Sequence, residues 1–198
     1  MKPINKPNGI ILCGGQSSRM GQNKALMKLG GITLIEHVIN ALKPICSEII
    51  LSVNNDDLNF LPHQKVNDLI EGIGPIAGFY SSLKNSNSTE NIIVSCDMPF
   101  ISSAFLQYLL QQLNNFDIVL PIYNNKIQTV TGIFSKKILP DLKNQITLKN
   151  FVPVNIFEKC NTLFVHPEEK DFKNLQFEFF NINTIEDYHK AIEIYNTI

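Results

Sequence analysis

Positions 12–31 read LCGGQSSRMGQNKALMKLGG, a segment that crowds glycine, hydroxyl and cation together. Gly14 and Gly15 are adjacent, so the backbone can approach a ligand closely and its successive N–H groups can converge on it. Ser17 and Ser18 add hydroxyl donors, and Arg19 and Lys24 add fixed positive charge. A polyphosphate needs this combination of backbone donors, cations and small side chains. The segment is not a Walker A loop, because Gly21 is followed by Gln22. Nor is it GxGxxG, because the first two glycines adjoin. A surface connection with incidental charge is the competing reading.

A second stretch, SCDMPF at 95–100, places Asp97 just after the apolar run Ile92-Ile93-Val94, with Pro99 and Phe100 stiffening the turn behind it. A carboxylate at the end of a strand, across from a phosphate loop, is placed to hold magnesium. The alternative is an aspartate that caps a helix or closes a turn. Asp68 also closes a predicted strand, with a simple turn residue as the competing reading.

Other chemistries lack a signal. Cys13, Cys46, Cys96 and Cys160 form no CxxC pair, which argues against a structural zinc site. Cys13 and Cys96 each end an apolar run and read as buried small hydrophobes. His37, His63, His166 and His189 show no metal-ligand spacing, and no G-x-S-x-G elbow is present. The net charge is −1, from 17 Lys+Arg against 18 Asp+Glu, and no basic–aromatic interleaving marks a nucleic-acid surface. The N-terminal MKPINKPNG is polar and broken by two prolines, and no run is long enough to span a bilayer. The expectation is a cytoplasmic protein that binds neither nucleic acid nor membrane.

The elements that must position these residues alternate. Apolar runs predict strands over 9–13, 48–53, 91–95 and 117–120, and a short one around Val66. Between them, helical spacing predicts helices over 33–42, capped by Thr33 with Glu36, from Pro75 through Leu83, and from Ser102 or Ser103 through Leu113. Strands that read as continuous apolar runs, alternating with helices, imply an α/β chain with a mostly parallel sheet covered on both faces. Ligands bind at the carboxyl ends of such strands, where both candidate loops fall. In the last third, strands are predicted over 130–134, 162–165 and 177–180. A final helix is predicted through Tyr195, opened by a capping box from Asn183 to Glu186.

Taken together, these residues resemble the molybdenum cofactor guanylyltransferase family. Its wider nucleotidyltransferase group begins LxGGxSxRMGxxK or a variant with alanine. Here Leu12, Gly14, Gly15, Ser17, Arg19, Met20, Gly21 and Lys24 supply every element. Asp68 precedes Gly74-Pro75-Ile76-Ala77-Gly78, similar to the family's GPLAG segment. Cys96-Asp97-Met98-Pro99 is similar to its magnesium-binding CDxP segment. Phe180-Asn181-Ile182-Asn183-Thr184 is similar to its FxNxNTP segment, which lies near the pterin. Two departures stand out: Gln128-Thr129 replaces a common His-Pro or Arg-Pro, and Ile185 replaces the proline after Thr184.

The resemblance implies a three-layer αβα, Rossmann-like nucleotidyltransferase fold in one domain, 1–198. Residues up to about 120 would serve the nucleotide and 121–198 the acceptor. It implies transfer of GMP from GTP to the phosphate of Mo-molybdopterin, with Mg²⁺ held by Asp97 and with Arg19, Lys24 and Asp97 catalytic. The implied nucleotide-binding set is Leu12, Gly14, Gly15, Gln16, Ser17, Ser18, Arg19, Lys24, Asn54, Asp68, Pro75, Gly78 and Asp97. Asn181 and Asn183 are implied on the acceptor side, with helix capping an equal alternative for Asn183. Cofactor-synthesis proteins or recipient molybdoenzyme apoproteins are the expected transient partners. The alternatives are a cytidylyl- or sugar-nucleotide transferase of similar fold, and a nucleotide-binding regulator without turnover.

Overall fold

In the computed structural model, residues 6–14, 23–70 and 72–198 are described. The chain runs β1 (Asn8–Leu12), β2 (Lys28–Leu29), β3 (Ile32–Thr33), α1 (Leu34–Leu42), β4 (Ile49–Val53), β5 (Gln64–Asn67), α2 (Pro75–Asn85) and β6 (Glu90–Ser95). It continues through α3 (Ser103–Gln111), β7 (Ile118–Tyr123), β8 (Lys126–Ile127), β9 (Gly132–Ser135), α4 (Leu139–Thr147), α5 (Pro153–Phe157), β10 (Thr162–Val165), α6 (Leu175–Glu178) and α7 (Ile185–Tyr195).

The main sheet has the order β10-β7-β9-β6-β1-β4-β5, with β8 paired to β7. Its neighbours are parallel except for β9, antiparallel to both β6 and β7, and the β7–β8 pair. Successive strand residues face opposite layers. Thus Ile11, Leu51 and Val94 pack with Val38, Leu42, Phe105 and Leu109 of α1 and α3. Ile10, Ile50 and Ile93 pack with Ile76, Phe79, Leu142 and Phe157 of α2, α4 and α5 on the other face. This is the expected three-layer arrangement, and β1 is buried from end to end because both layers cover it. Among the described residues no helix is long and apolar enough to cross a membrane.

Local signals explain most element ends. Glu36 accepts from both the Thr33 N–H, at 2.7 Å, and the Thr33 hydroxyl, at 2.6 Å. Those two bonds, the hydroxyl's first, hold the Glu36 carboxyl below its ordinary range. Gly74 caps α2 at φ 69° and ψ −154°, a conformation essentially open to glycine alone, and Pro75 follows at the first helical position. Ser102, rather than Ser103, caps α3 by accepting from the Phe105 N–H at 3.1 Å.

Three expectations in the C-terminal third need correction. The predicted strand over 177–180 is instead the end of α6 and the turn that leaves it, because Leu175 and Phe179 recur at helical spacing and both reach the core. The strand expected from Val130 begins at Gly132. The final capping box is one residue later than expected. Thr184 is the cap and Asp187 its partner, accepting from the Thr184 N–H at 2.9 Å and the Asn183 N–H at 3.0 Å. Asn183 is therefore not the cap.

Cys96 is buried as expected, but Cys13 is only half-buried. Burial pushes the Cys46 thiol up to about 12 and the Cys160 thiol up to about 11. Cys13 is raised well above the usual thiol range by its hydrogen bond with Cys96 and by burial. These three thiols are poor nucleophiles. His37 packs edge-on to Tyr195 and contacts the Leu29 carbonyl at 2.9 Å, a structural role.

Gly132 lets β9 enter between β6 and β7. A Cβ there would lie 2.5 Å from the Val119 carbonyl oxygen, a backbone atom that cannot rotate away. Gly132→Ala is expected to destabilise the fold by about 1–3 kcal/mol, the usual cost of overpacking. Urea unfolding checks this, and an unchanged midpoint would contradict the close approach.

Candidate active site

The carboxyl ends of β1, β4, β5 and β6 surround a cleft of about 560 Å³. That volume suits a small organic ligand. Its walls include Leu12 and Gly14 after β1, Ser52 and Asn54 at β4, Asp68 after β5, and Gly74, Pro75 and Gly78 at the start of α2. A larger, open groove lies at the opposite, amino ends of the strands, lined by Lys6, Ser47, Thr89 and Asn114 among others. The carboxyl-end cleft is the candidate, because an open α/β sheet presents its loops to ligands there.

Two features shape the cleft. The Asn54 amide donates to Asp68 Oδ2 at 3.0 Å, which joins the ends of β4 and β5 and fixes both polar heads. Gly78 brings the first turn of α2 close to the strands. A Cβ there would lie 2.7 Å from Ser52 Oγ, 3.3 Å from Leu12 Cδ2 and 3.7 Å from Asp68 Oδ1. Glycine at 78 therefore leaves room that any side chain would take.

Beside the cleft three distant segments converge. Lys24 opens a short 3-10 turn, Lys24–Leu26, whose cap Asn23 accepts from the Ala25 N–H at 3.1 Å. Ala25 is fully buried and anchors the turn. The Lys24 ammonium reaches Asp97 Oδ2 at 3.9 Å, and both side chains are largely buried. It also donates to Asn183 Oδ1 at 3.1 Å. Asp97 Oδ1 in turn accepts from the Ser95 hydroxyl at 2.6 Å. The Ile182 N–H donates to the Asp97 carbonyl at 3.0 Å, so the C-terminal segment is bonded directly to the carboxylate's own loop. Next to it, Asn181 Oδ1 is buried with no hydrogen-bond partner among the described residues. Such an orphaned acceptor costs about 1–3 kcal/mol unless something meets it.

Of the residues predicted from sequence, Leu12, Gly14, Asn54, Asp68, Pro75 and Gly78 line the cleft. Lys24, Asp97 and Asn183 meet beside it, with Asn181 adjoining. Gly15, Gln16, Ser17, Ser18 and Arg19 lie outside the described residues. Sequence reasoning missed Ser52, Ser95 and Val130. The two serines do leave a signal, since Ser52 interrupts the apolar run of β4 one residue before its end and Ser95 closes the apolar run of β6. Val130 carries none, because the turn that brings it over the cleft depends on where β9 starts.

A divalent cation is compatible with these residues. Asp97 is a single carboxylate with oxygen lone pairs beyond its bond from Ser95. Mg²⁺ is held typically by one or two carboxylates together with substrate phosphates, not by an all-protein cage. Consistent with that mode, no group of three or more His, Cys, Asp or Glu assembles among the described residues.

Comparison with known proteins gives a consistent pattern. The family model of the MobA-like NTP transferase domain matches residues 9–150. A probable molybdenum cofactor guanylyltransferase of Carboxydothermus hydrogenoformans is 34% identical, over 94% of this chain and 95% of the relative. The molybdopterin-guanine dinucleotide biosynthesis protein A of Archaeoglobus fulgidus superposes with a TM-score of 0.83 at 23% identity, covering 96% of this chain and all of that one (100%). The Thermus thermophilus 2-C-methyl-D-erythritol 4-phosphate cytidylyltransferase reaches a TM-score of 0.72 at 12% identity, covering 94% and 98%. The two structural likenesses speak for the fold alone.

The Gly78 geometry sets a direct test. Gly78→Ala is expected to weaken binding of a fluorescent nucleoside triphosphate analogue by about tenfold, since crowding of ~1.4 kcal/mol is a tenfold change. Unchanged affinity in a folded variant would remove α2 from the nucleotide side.

Proposed function

The chain belongs to the MobA-like NTP transferase family, and from that premise we propose that it transfers GMP from GTP to the terminal phosphate of Mo-molybdopterin. The products are molybdopterin guanine dinucleotide and pyrophosphate. The observation that carries this reading is the convergence of Lys24, Asp97 and Asn183 beside the carboxyl-end cleft.

An acceptor phosphate oxygen attacks the α-phosphorus, a new P–O bond forms, and the bond to the β-phosphate oxygen breaks. Both reactants are anions, so the barrier is largely the cost of bringing like charges together. The Lys24 ammonium, together with the positive charge that the sequence supplies at Arg19, would offset the negative charge that builds up on pyrophosphate. Backbone N–H groups of the 14–18 segment, including Gly14, Gly15, Gln16, Ser17 and Ser18, orient the triphosphate. Magnesium held by Asp97 would supply charge neutralisation between phosphates when bound. The acceptor phosphate is already ionised near neutral pH, so the reaction needs no general base.

On the donor side, Asn54 and Asp68 present a donor–acceptor pair to the nucleoside, with Leu12, Pro75 and Gly78 as the apolar wall. On the acceptor side, the orphaned Asn181 Oδ1 suits a pterin N–H donor. Asn183 serves the same side while also holding Lys24. In this reading residues 1–120 supply most of the donor side, residues 121–198 supply the acceptor side, and the chain acts as one domain. A cytoplasmic site and brief contact with recipient apoproteins complete the proposal.

The test is pyrophosphate release with Mg²⁺, Mo-molybdopterin and each nucleoside triphosphate in turn. Release is expected with GTP, and only when the pterin is present. Release with CTP in its place would move the protein to a cytidylyl reaction, and no release from folded protein would contradict the proposal. Lys24→Ala is expected to lower kcat by about 10²-fold or more, the scale of losing one charge-stabilising donor, with little change in Tm. Asp97→Ala is expected to weaken magnesium-dependent turnover far more than metal-free GTP binding. Wild-type rates in either variant would remove that residue from the mechanism.

A further inference from the structure

The buried carboxylate of Glu178 has no part in the chemistry above, yet it ties together two elements far apart in the chain. Its Oε2 accepts from the Ser102 N–H at 2.7 Å, and its Oε1 accepts from the Ser102 hydroxyl at 2.5 Å. Ser102 is the cap of α3, and its hydroxyl oxygen also accepts from the Phe105 N–H. In an ordinary capping box, a Glu or Gln three residues into the helix returns to the cap's N–H. Here that position is Phe105, whose ring is fully buried against Phe172 and Phe179. The core has taken the place where the box would put its acid. Glu178, 76 residues away, supplies the missing carboxylate.

This bond fixes more than a helix end. From Glu178 the chain runs directly into Phe180, whose ring lies 6.0 Å from that of Phe100, then Asn181, then Ile182. Ile182 is fully buried and its N–H bonds the Asp97 carbonyl. Asn181 is thus held between two anchors, Glu178 on Ser102 and Ile182 on Asp97. Both anchors stand on the same stretch, from Asp97 to the start of α3. The nucleotide cleft is built from other strands and does not include Glu178 or Ser102.

We propose that Glu178 is a positioning residue, a capping-box acid supplied from a distance, which sets the place of Asn181 and Asn183 and therefore governs acceptor recognition rather than GTP binding. The inference rests on the acceptor assignment made above. Glu178→Ala is expected to raise the acceptor KM by about tenfold or more, as misplacement of a substrate-positioning group does, with the GTP KM within about twofold of wild type. Glu178→Gln is expected to restore the acceptor KM, because Gln serves a capping box as Glu does. A role confined to stability would lower Tm and leave the ratio of the two KM values unchanged.

Amide hydrogen exchange gives a second readout that needs no turnover. Protection of the Ile182 N–H should fall in Glu178→Ala and survive in Glu178→Gln. If the alanine variant does not fold, Ser102→Ala keeps the N–H bond, loses the hydroxyl and is read in the same two assays, with smaller shifts expected. A folded Glu178→Ala with normal acceptor KM, with both KM values raised in parallel, or with unchanged Ile182 protection would overturn the proposal. Failure of the wild type to use GTP and the pterin would instead overturn the function, and the exchange result would then decide the clamp alone.

Discussion

One ammonium group organises the site. Lys24 Nζ is shared between the Asp97 carboxylate at 3.9 Å and the Asn183 amide oxygen at 3.1 Å. These residues come from the turn at Lys24–Leu26, the loop after β6 and the segment before α7, and only the folded sheet brings them together. Parallel pairing of β1 with β6 sets Leu12 beside Ser95, so the loops that leave the two strands start side by side. The buried turn at Ala25 and the Ile182–Asp97 backbone bond then bring the lysine and the asparagine onto the same carboxylate. A largely buried lysine is tolerable only with such partners, since an unpaired charge there would be strongly disfavoured.

The proposed reaction needs two anionic substrates to meet, and the fold offers a crevice where they could. The carboxyl ends of parallel strands give an open crevice rimmed by loops, and here one side of it is made small by Gly78 and kept polar by Asn54 and Asp68. Beside it, the segment before α7 is tied to the loop after β6 by the bond from the Ile182 N–H to the Asp97 carbonyl. That bond brings residues from the far end of the sequence next to Asp97 and Lys24.

Much of this was legible in the sequence, for physical reasons that differ from place to place. The runs at β1, β4 and β6 could be read because strands buried on both faces must be continuously apolar. The helix starts at Thr33, at Pro75 and at Ser102 or Ser103 could be read, because helix ends need donors satisfied locally and proline suits a first turn. Asp97 stood out as a charge next to such a run, and Lys24 as a cation within the glycine-rich segment. The C-terminal third was harder. Residues 177–180 have the aromatic composition of a strand, and only tertiary packing of Leu175 and Phe179 makes them the last turn of α6 and its exit. Asn183 and Thr184 are both good caps, and the choice between them was settled by Asp187 and by the demand of Lys24 for an acceptor. Ser95 showed only as a polar strand end and Glu178 not at all, because their meaning lies in partners that local pattern does not reveal, Asp97 for one and the distant Ser102 for the other.

The most direct test of the central claim, that Lys24 and Asn183 act as one unit across the chain, is a double-mutant cycle on kcat at saturating substrates. Lys24→Met, Asn183→Ala and the double variant would be compared with wild type. Residues in contact couple by about 0.5–3 kcal/mol, so the double variant should be little slower than Lys24→Met alone. Fully additive losses in folded variants would mean that the two residues work separately and that their contact is incidental.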